Sequence, residues 1–248
     1  MKNFQFIGFF VLMLLCFSCS SKKNEASVMN CQNVFTDTVC VPAHSDTPLE
    51  AKLRAMGMVD IAELDSSIAV HLVYATPYNF MGRQLYSSLN KAFMLPDLAN
   101  KVVKAQQLLK VLRPDLNLMV YDAARPISIQ REMWNRVKNT DKMKYVSNPD
   151  KGHGMHNYGA AVDVTLMDCT GNPLPMGSEY DFFGREANID CEQALLTEGR
   201  ITVRELENRL LLRKVMTEAG LQTFDSEWWH FNLMSVDEAQ KQLKVIDF

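Results

Sequence analysis

Two segments of the sequence carry residues that could hold a metal ion. Residues 152–163 (GHGMHNYGAAVD) contain two histidines and end on an aspartate, and residues 227–230 (EWWH) follow about sixty residues later. Two imidazoles and one carboxylate are enough protein ligands for a catalytic zinc ion, whose fourth position is left for water. A spare carboxylate is the group needed to remove a proton from such a water. The residue types therefore predict a zinc hydrolase site.

The spacing within each segment sets conditions on the backbone. His156 and Asp163 are seven residues apart, and on a straight strand an odd spacing places side chains on opposite faces. These two residues can converge only if the chain bends between them, which Gly159 would allow. Glu227 and His230 are three residues apart, so a helix would place both on one face, and a bulged strand end could also aim both at one ion. We expect the two tryptophans between them to wall the cleft and lower its dielectric constant.

The elements that must position these residues indicate an α+β fold. Helical periodicity predicts helices over residues 96–112, 127–137, 202–219 and 236–245. Short apolar or alternating runs predict strands over residues 67–74, 116–121, 160–166, 221–224 and 228–231. Because the strands and helices do not alternate regularly, we expect a single domain with a mostly antiparallel sheet flanked by helices.

The N-terminal residues are similar to those of exported bacterial proteins. Lys2 precedes an apolar run over residues 4–17, which has the length of a signal peptide and is short for a membrane span. Ser18 and Cys19 follow, and the polar tail after them resembles a lipoprotein processing site. We therefore predict a signal peptide over residues 1–18, lipidation at Cys19, a tether over 19–48 and a catalytic domain over 49–248. Plain secretion and a retained anchor are the alternatives, and each version places the domain in the cell envelope or outside the cell.

Composition and charge narrow the possible partners. The chain has 248 residues, of which 47% are hydrophobic and 22% charged, so it can bury a full core without disulfide bonds. Its net charge is −3 and its basic residues form no dense run, so we do not expect it to bind nucleic acid. The lipid anchor is the only membrane contact that we expect.

Four cysteines remain after the predicted lipidation site. An oxidising compartment permits disulfides, and proximity in sequence favours Cys31 with Cys40 and Cys169 with Cys191 among three possible pairings. Free thiols are the alternative. None of the four has the CxxC spacing of a cysteine metal site.

Taken together, the motifs resemble those of the zinc D-alanyl-D-alanine dipeptidases of the VanX type, within the zinc D,D-peptidases that act on peptidoglycan-type peptides. The resemblance rests on the spacing from His156 to Asp163, on the ExxH pattern at residues 227–230 and on Arg125 in a YDxxRP segment. It also includes residues 74–83 (YATPYNFMGR) and the PMGS segment that precedes Asp181. The resemblance covers roughly residues 60 to 235.

This resemblance implies a zinc D,D-peptidase (hedgehog/D,D-peptidase-like) fold that binds one Zn²⁺ per chain. His156, Asp163 and His230 would be the zinc ligands. His153 is a second candidate, but only His156 has the seven-residue spacing that the resemblance requires. One position departs from the family, because Gly154 stands where a serine is usual.

The resemblance also implies roles for three further residues. Glu227 would be the catalytic base, Arg125 would stabilise the developing oxyanion, and Asp181 would help to hold the ammonium group of the substrate. The expected activity is hydrolysis of D-Ala-D-Ala or related dipeptides. A D,D-carboxypeptidase or endopeptidase acting on longer muropeptides is the alternative enzyme, and a wall-binding module with a structural zinc is the non-catalytic alternative.

Overall fold

The computed structural model describes residues 45–152 and 154–248. The predicted signal peptide, Cys19, Cys31, Cys40 and His153 lie outside the described residues. Within the described ranges, no helix combines the length and the apolar character that a membrane crossing would require.

The described part of the chain contains seven α-helices and seven β-strands. The helices are α1 (Pro48–Ala55), α2 (Ile61–Leu64), α3 (Pro96–Leu112), α4 (Ile127–Val137), α5 (Glu192–Thr197), α6 (Val203–Glu218) and α7 (Val236–Gln242). The strands are β1 (Val59–Asp60), β2 (Ala69–Val70), β3 (Phe93–Met94), β4 (Asn117–Asp122), β5 (Ala161–Met167), β6 (Gln222–Phe224) and β7 (Glu227–Asn232).

A five-stranded sheet, in the order β2-β4-β5-β7-β6, forms the centre of the fold. The pairs β4–β5, β5–β7 and β6–β7 are antiparallel, and only the short β2 pairs in parallel with β4. Strand β5 is buried along its whole length, because it lies in the middle of the sheet and helix α6 packs against it. The predicted α+β class with a mostly antiparallel sheet is confirmed.

The long helices begin and end where local chemistry favours it. Pro96 occupies the first turn of α3, where its missing N–H costs nothing. Thr202 and Glu205 form a capping box at the start of α6, and Gly220 follows its end with φ of 96°, a conformation that glycine adopts without strain. Helices α3 and α6 contact each other and cover the sheet.

The predicted strand over residues 67–74 is largely wrong. Only Ala69 and Val70 pair with β4, and the chain then turns through a 3₁₀ helix at Val73–Ala75. The Tyr74 carbonyl accepts hydrogen bonds from the backbone N–H groups of Leu85 and Tyr86, at 2.8 and 2.9 Å. The apolar residues are therefore buried by a folded loop rather than by a strand.

Residues 168–191 form a long excursion between β5 and α5. The buried Arg209 of α6 anchors this excursion by donating hydrogen bonds to the carbonyl oxygens of Met176, Glu186 and Asn188. Arg209 is 1% exposed, which makes it one of the largest fully buried side chains among the described residues. Its five donors match a set of carbonyls that no apolar side chain could satisfy.

The predicted disulfide between Cys169 and Cys191 is wrong, because both are free thiols. Cys169 follows β5 in a turn that Asp168 closes with its own side chain. The Cys191 sulfur instead lies 3.7 Å from the carbonyl oxygen of Arg185. Each cysteine thus belongs to its own local turn.

Candidate metal centre and active site

Three acidic or imidazole side chains lie in one row across the sheet. Asp163 of β5 pairs with Asp122 of β4 on one side and with His230 of β7 on the other. Residues directly opposite each other on neighbouring strands project from the same face. The row therefore places two side chains that could bind a metal ion, Asp163 and His230, beside the buried carboxylate of Asp122.

His156 reaches the same row from outside the sheet. It lies in a 3₁₀ turn, Met155–Tyr158, that leads into β5 through Gly159. Gly159 has φ of 65°, and a side chain there would meet the Met58 Cε atom at 2.8 Å. The bend predicted at Gly159 is thus present, and it brings His156 back over Asp163.

The three side chains converge on one point. Ligand atoms of His156, Asp163 and His230 all lie within 4.8 Å of one another, and all three residues are buried. The distances are 3.1 Å between His156 Nε2 and His230 Nδ1, 3.2 Å from His156 Nε2 to Asp163 Oδ1, and 2.9 Å from His230 Nδ1 to Asp163 Oδ1.

In each imidazole, the ring nitrogen that points away from Asp163 makes a hydrogen bond, and this hydrogen bond fixes the tautomer. His156 Nδ1 faces the carbonyl oxygen of Ala123 at 2.8 Å, and His230 Nε2 faces Asn232 Oδ1 at 2.8 Å. Because both oxygens accept, these nitrogens carry the protons, and the opposite nitrogens keep free lone pairs. Two imidazole lone pairs and one carboxylate oxygen therefore face one another. This donor set fits a cation such as Zn²⁺.

The charge of Asp163 is maintained despite its burial. Burial acts to raise the pKa of Asp163, but positive charge on His156 and His230, and hydrogen bonds from their rings when protonated, outweigh it and hold the pKa below its ordinary value. When both imidazoles are neutral, a bound cation would supply this positive charge. The second oxygen, Oδ2, accepts a hydrogen bond of 2.8 Å from the Tyr180 hydroxyl. Asp163 is thus an anionic carboxylate with both oxygens contacted.

Glu227 lies beside this group as a spare carboxylate. It is the first residue of β7, where the register with β6 shifts between Thr223 and Phe224. This irregularity brings Glu227 to the side of His230, with Oε2 at 3.8 Å from Nδ1. Burial raises the pKa of Glu227 to about 7, and the proximity of His230 opposes the shift. A carboxyl group with this pKa can both accept and donate a proton near neutral pH.

Arg125 follows β4, and three hydrogen bonds hold its side chain in place. Its Nε and Nη2 atoms donate to Oδ2 of Asp122 at 2.9 and 2.5 Å, and Nη1 donates to Gln130 Oε1 at 2.9 Å. Burial acts to lower the pKa of Arg125, but the Asp122 carboxylate more than offsets this and raises it. The guanidinium group also lies 5.1 Å above the ring of Tyr74.

Asp181 is a buried carboxylate with an unsatisfied oxygen. Its Oδ1 accepts a hydrogen bond of 2.9 Å from the Tyr74 hydroxyl, whereas Oδ2 is buried and has no hydrogen-bond partner among the described residues. Burial raises the pKa of Asp181 to about 7, although the Tyr74 hydrogen bond and the Arg125 charge act to lower it. Such an oxygen is suited to a cationic group of a ligand.

All six predicted site residues line one cavity of about 340 Å³. Trp229 also lines it, whereas the Trp228 ring donates through Nε1 to Ser178 Oγ at 2.9 Å, so only one of the two tryptophans walls the cavity. The residues in the cavity wall that carry the proposed chemistry are Arg125, His156, Asp163, Asp181, Glu227 and His230.

Three supporting residues were not predicted from the sequence. Tyr180 contacts Asp163, Asn232 contacts His230 and Gln130 contacts Arg125. Asn232 could have been found, because it lies two residues after His230 and so shares its face of the strand. Tyr180 immediately precedes Asp181, but nothing in its spacing points to Asp163.

Comparison with known proteins agrees with this geometry. A family described as "D-ala-D-ala dipeptidase" matches residues 54–247. Three similar relatives each carry the name "D-alanyl-D-alanine dipeptidase". The Escherichia coli relative is 30% identical over 71% of this chain and 84% of its own length. The Enterococcus faecium relative is 28% identical, over 72% and 92%, and the Synechocystis relative 26% identical, over 75% and 88%.

The family match covers nearly the whole of the described chain, including His156, Asp163, His230 and every other residue that lines the cavity. We conclude that the chain belongs to the D-Ala-D-Ala dipeptidase family of metallopeptidases and is an enzyme.

Proposed function

We propose that this chain is a zinc-dependent dipeptidase that hydrolyses D-Ala-D-Ala or closely related dipeptides. The observation that carries the proposal is the convergence of two imidazole lone pairs and one carboxylate oxygen beside a separate carboxylate, Glu227. A cavity of about 340 Å³ is at the small end of ligand pockets, as expected for a substrate of two residues. The names of the relatives support the same substrate.

We assign the metal to His156, Asp163 and His230, with one Zn²⁺ per chain. Zinc bound by these ligands supplies Lewis acidity, which makes water easier to deprotonate and polarises a carbonyl group. The tautomers fixed by Ala123 and Asn232 leave the correct nitrogen of each imidazole free for the ion. Copper and iron sites also use imidazole, but two histidines and one carboxylate are a common set for catalytic zinc.

Glu227 is the general base in this proposal. It takes a proton from the attacking water as the new carbon–oxygen bond forms at the peptide carbonyl. Glu227 then delivers this proton to the amine nitrogen as the carbon–nitrogen bond breaks. A pKa of about 7 suits both transfers, since the group is neither too weak a base nor too weak an acid near neutral pH.

Two other side chains act on the charges of the substrate. Arg125 donates to the oxyanion that develops on the carbonyl oxygen, and its pairing with Asp122 holds it in place before the reaction. Asp181 receives the ammonium group of the dipeptide through the oxygen that has no partner among the described residues.

The substrate assignment is tested by offering the zinc-loaded protein D-Ala-D-Ala, L-Ala-D-Ala and a pentapeptide ending in D-Ala-D-Ala. We expect rapid hydrolysis of the first, slower hydrolysis of the second and little release of D-Ala from the third. A purified protein with full zinc content that is inactive toward all three would contradict the proposal and would favour a wall-binding role.

A second candidate function is hydrolysis of longer muropeptides. A cleft of about 800 Å³ lies beside the catalytic cavity and shares Phe80, Asp181, Phe182 and Phe183 with it. In addition, Gly154 lines the catalytic cavity where the family usually has serine, so a hydroxyl that could contact the substrate is missing. Faster release of D-Ala from the pentapeptide than from the dipeptide would favour this candidate.

We further propose that the chain is exported and held at the cell envelope by a lipid on Cys19, after removal of residues 1–18. The support is the apolar run followed by Ser18, Cys19 and a polar segment. Mass spectrometry of the protein purified from membranes would show a diacylglyceryl modification on Cys19. A Cys19→Ala variant should leave the membrane fraction, and a variant that stays there would contradict the anchor.

A further inference from the structure

The two oxygen atoms of the Asp163 carboxylate have different surroundings. Oδ1 lies 2.9 Å from Nδ1 of His230 and 3.2 Å from Nε2 of His156, so it faces the point where the metal ligands converge. Oδ2 instead accepts a hydrogen bond of 2.8 Å from the Tyr180 hydroxyl. Tyr180 thus contacts one of the proposed metal ligands without belonging to the group itself.

The Tyr180 ring is fixed in position by three other aromatic rings. The ring centroids of Trp229 and Tyr121 each lie 5.2 Å away, and that of Tyr74 lies 6.1 Å away, all in tilted or edge-on arrangements. The backbone of Tyr180 also belongs to the excursion that Arg209 anchors. Its hydroxyl is therefore held against Asp163 by the fold and needs no rearrangement to reach it.

We propose that Tyr180 is a positioning residue that makes Asp163 a single-oxygen metal ligand, an inference that rests on the proposed zinc-dependent function. A carboxylate can bind a metal ion through one oxygen or through both. In a site with three protein ligands, a second oxygen from Asp163 would compete for the position that water needs. By engaging Oδ2, the Tyr180 hydroxyl leaves Oδ1 as the one oxygen directed at the metal.

The Tyr180→Phe variant removes the hydroxyl and keeps the aromatic packing. Hydrogen bonds to a metal ligand from outside the coordination sphere typically change metal affinity ~10–100-fold. We expect the zinc dissociation constant of the variant, measured by competition with a chromophoric chelator, to rise by about that factor. The visible absorption of the cobalt(II)-substituted protein should also change, because it depends on the number of donor atoms.

Tyr121→Phe is the matched control. It removes a hydroxyl from a ring in the same aromatic cluster, and the described contacts of the Asp163 side chain come from His156, His230 and Tyr180 only. We expect its zinc affinity and cobalt spectrum to match those of the wild type. Thermal unfolding of both metal-free variants shows whether either substitution disturbs the fold.

The proposal is overturned if Tyr180→Phe binds zinc within twofold of the wild type, if its cobalt spectrum is unchanged, or if Tyr121→Phe loses as much affinity. An error in the proposed dipeptidase function would be seen in a different measurement. A wild-type protein that binds one zinc tightly but leaves D-Ala-D-Ala intact would reject the dipeptidase activity, and the chelator competition would still decide the role of Tyr180. A wild-type protein that binds no zinc would overturn both.

Discussion

The Nε2 atom of His156 and the Nδ1 atom of His230 face each other at 3.1 Å, and Asp163 Oδ1 lies within 3.2 Å of both. Their outer nitrogens donate to Ala123 and Asn232, so the inner nitrogens present lone pairs to each other and to an anionic oxygen. Three electron-rich atoms this close repel one another unless a cation or a proton lies among them. A bound metal ion should therefore stabilise the fold as well as serve the reaction.

Substitution of a ligand should remove the metal. We expect His156→Ala to lose zinc, whereas His153→Ala should keep a full equivalent, as measured by atomic absorption after dialysis. Zinc at 100 times its dissociation constant should stabilise the wild type by about 2.7 kcal/mol and His156→Ala hardly at all. The ligand assignment would be wrong if His153→Ala lost the metal and His156→Ala retained it.

Substitution of Arg125 should slow turnover without removing the metal. Loss of one oxyanion stabiliser commonly costs ~10²–10³ in kcat, and we expect this loss for Arg125→Ala. Arg125→Ala would leave the buried Asp122 without its cationic partner, so Arg125→Lys is the better-folded companion. It should also be slow, since lysine lacks the planar fork. Arg131→Ala removes an exposed arginine paired with Asp150 and serves as the control. A near-normal kcat in both Arg125 variants would exclude Arg125 from the mechanism.

The affinity for a cationic dipeptide should fall in acid. Burial raises the pKa of Asp181 to about 7, so below pH 7 the carboxyl group is increasingly neutral and cannot pair with an ammonium group. We expect KM for D-Ala-D-Ala to rise up to ~10-fold per pH unit below pH 7. Asp181→Asn should have a high KM that does not change between pH 5 and pH 7. A pH-independent KM in the wild type would contradict the proposed role of Asp181.

The same raised pKa affects the stability of the metal-free protein. Between the ordinary pKa of 3.8 and about 7, folded Asp181 binds more protons than the unfolded chain does. The protonated Asp181 carboxyl group therefore contributes fully to the stability of the folded protein at low pH, and this contribution is lost as the pH rises through 7. Asp181→Asn should unfold at higher urea concentration than the wild type at pH 8, and this advantage should disappear near pH 4.

Helices α3, α4 and α6 and the strands β4 to β7 could be predicted from the sequence because their periodicity reflects burial on one face. The convergence of His156, Asp163 and His230 could be predicted because of the motifs, which also implied the bend at Gly159. The residues that hold these side chains in place could not be predicted. Tyr180 reaches Asp163 only because Arg209, far along the chain, fixes the path of the excursion, and such pairings leave no periodic signal. The strand predicted over residues 67–74 failed because apolar residues can also be buried in a folded loop.

Replacement of the buried Arg209 should destabilise the fold and loosen the excursion that carries Tyr180 and Asp181. Arg209→Met leaves the carbonyl groups of Met176, Glu186 and Asn188 without this donor and removes the buried guanidinium that lies 3.6 Å from Glu192. We expect the free energy of unfolding in urea to fall by about 3–5 kcal/mol. Arg213→Met is the control. The Arg213 side chain is 21% exposed and also pairs with Glu192, so we expect the free energy of unfolding to fall by ~1 kcal/mol or less. Equal losses in the two variants would show that Arg209 has no special role.

The most direct measurement is the zinc content and the rate of D-Ala-D-Ala hydrolysis of the wild type and of Glu227→Gln, prepared side by side. We predict one zinc ion in each protein, full activity in the wild type that is lost with a chelator and restored by zinc, and a kcat lower by ~10³-fold or more in Glu227→Gln. Activity in the metal-free wild type, or a zinc-loaded Glu227→Gln that turns over at the normal rate, would contradict the account.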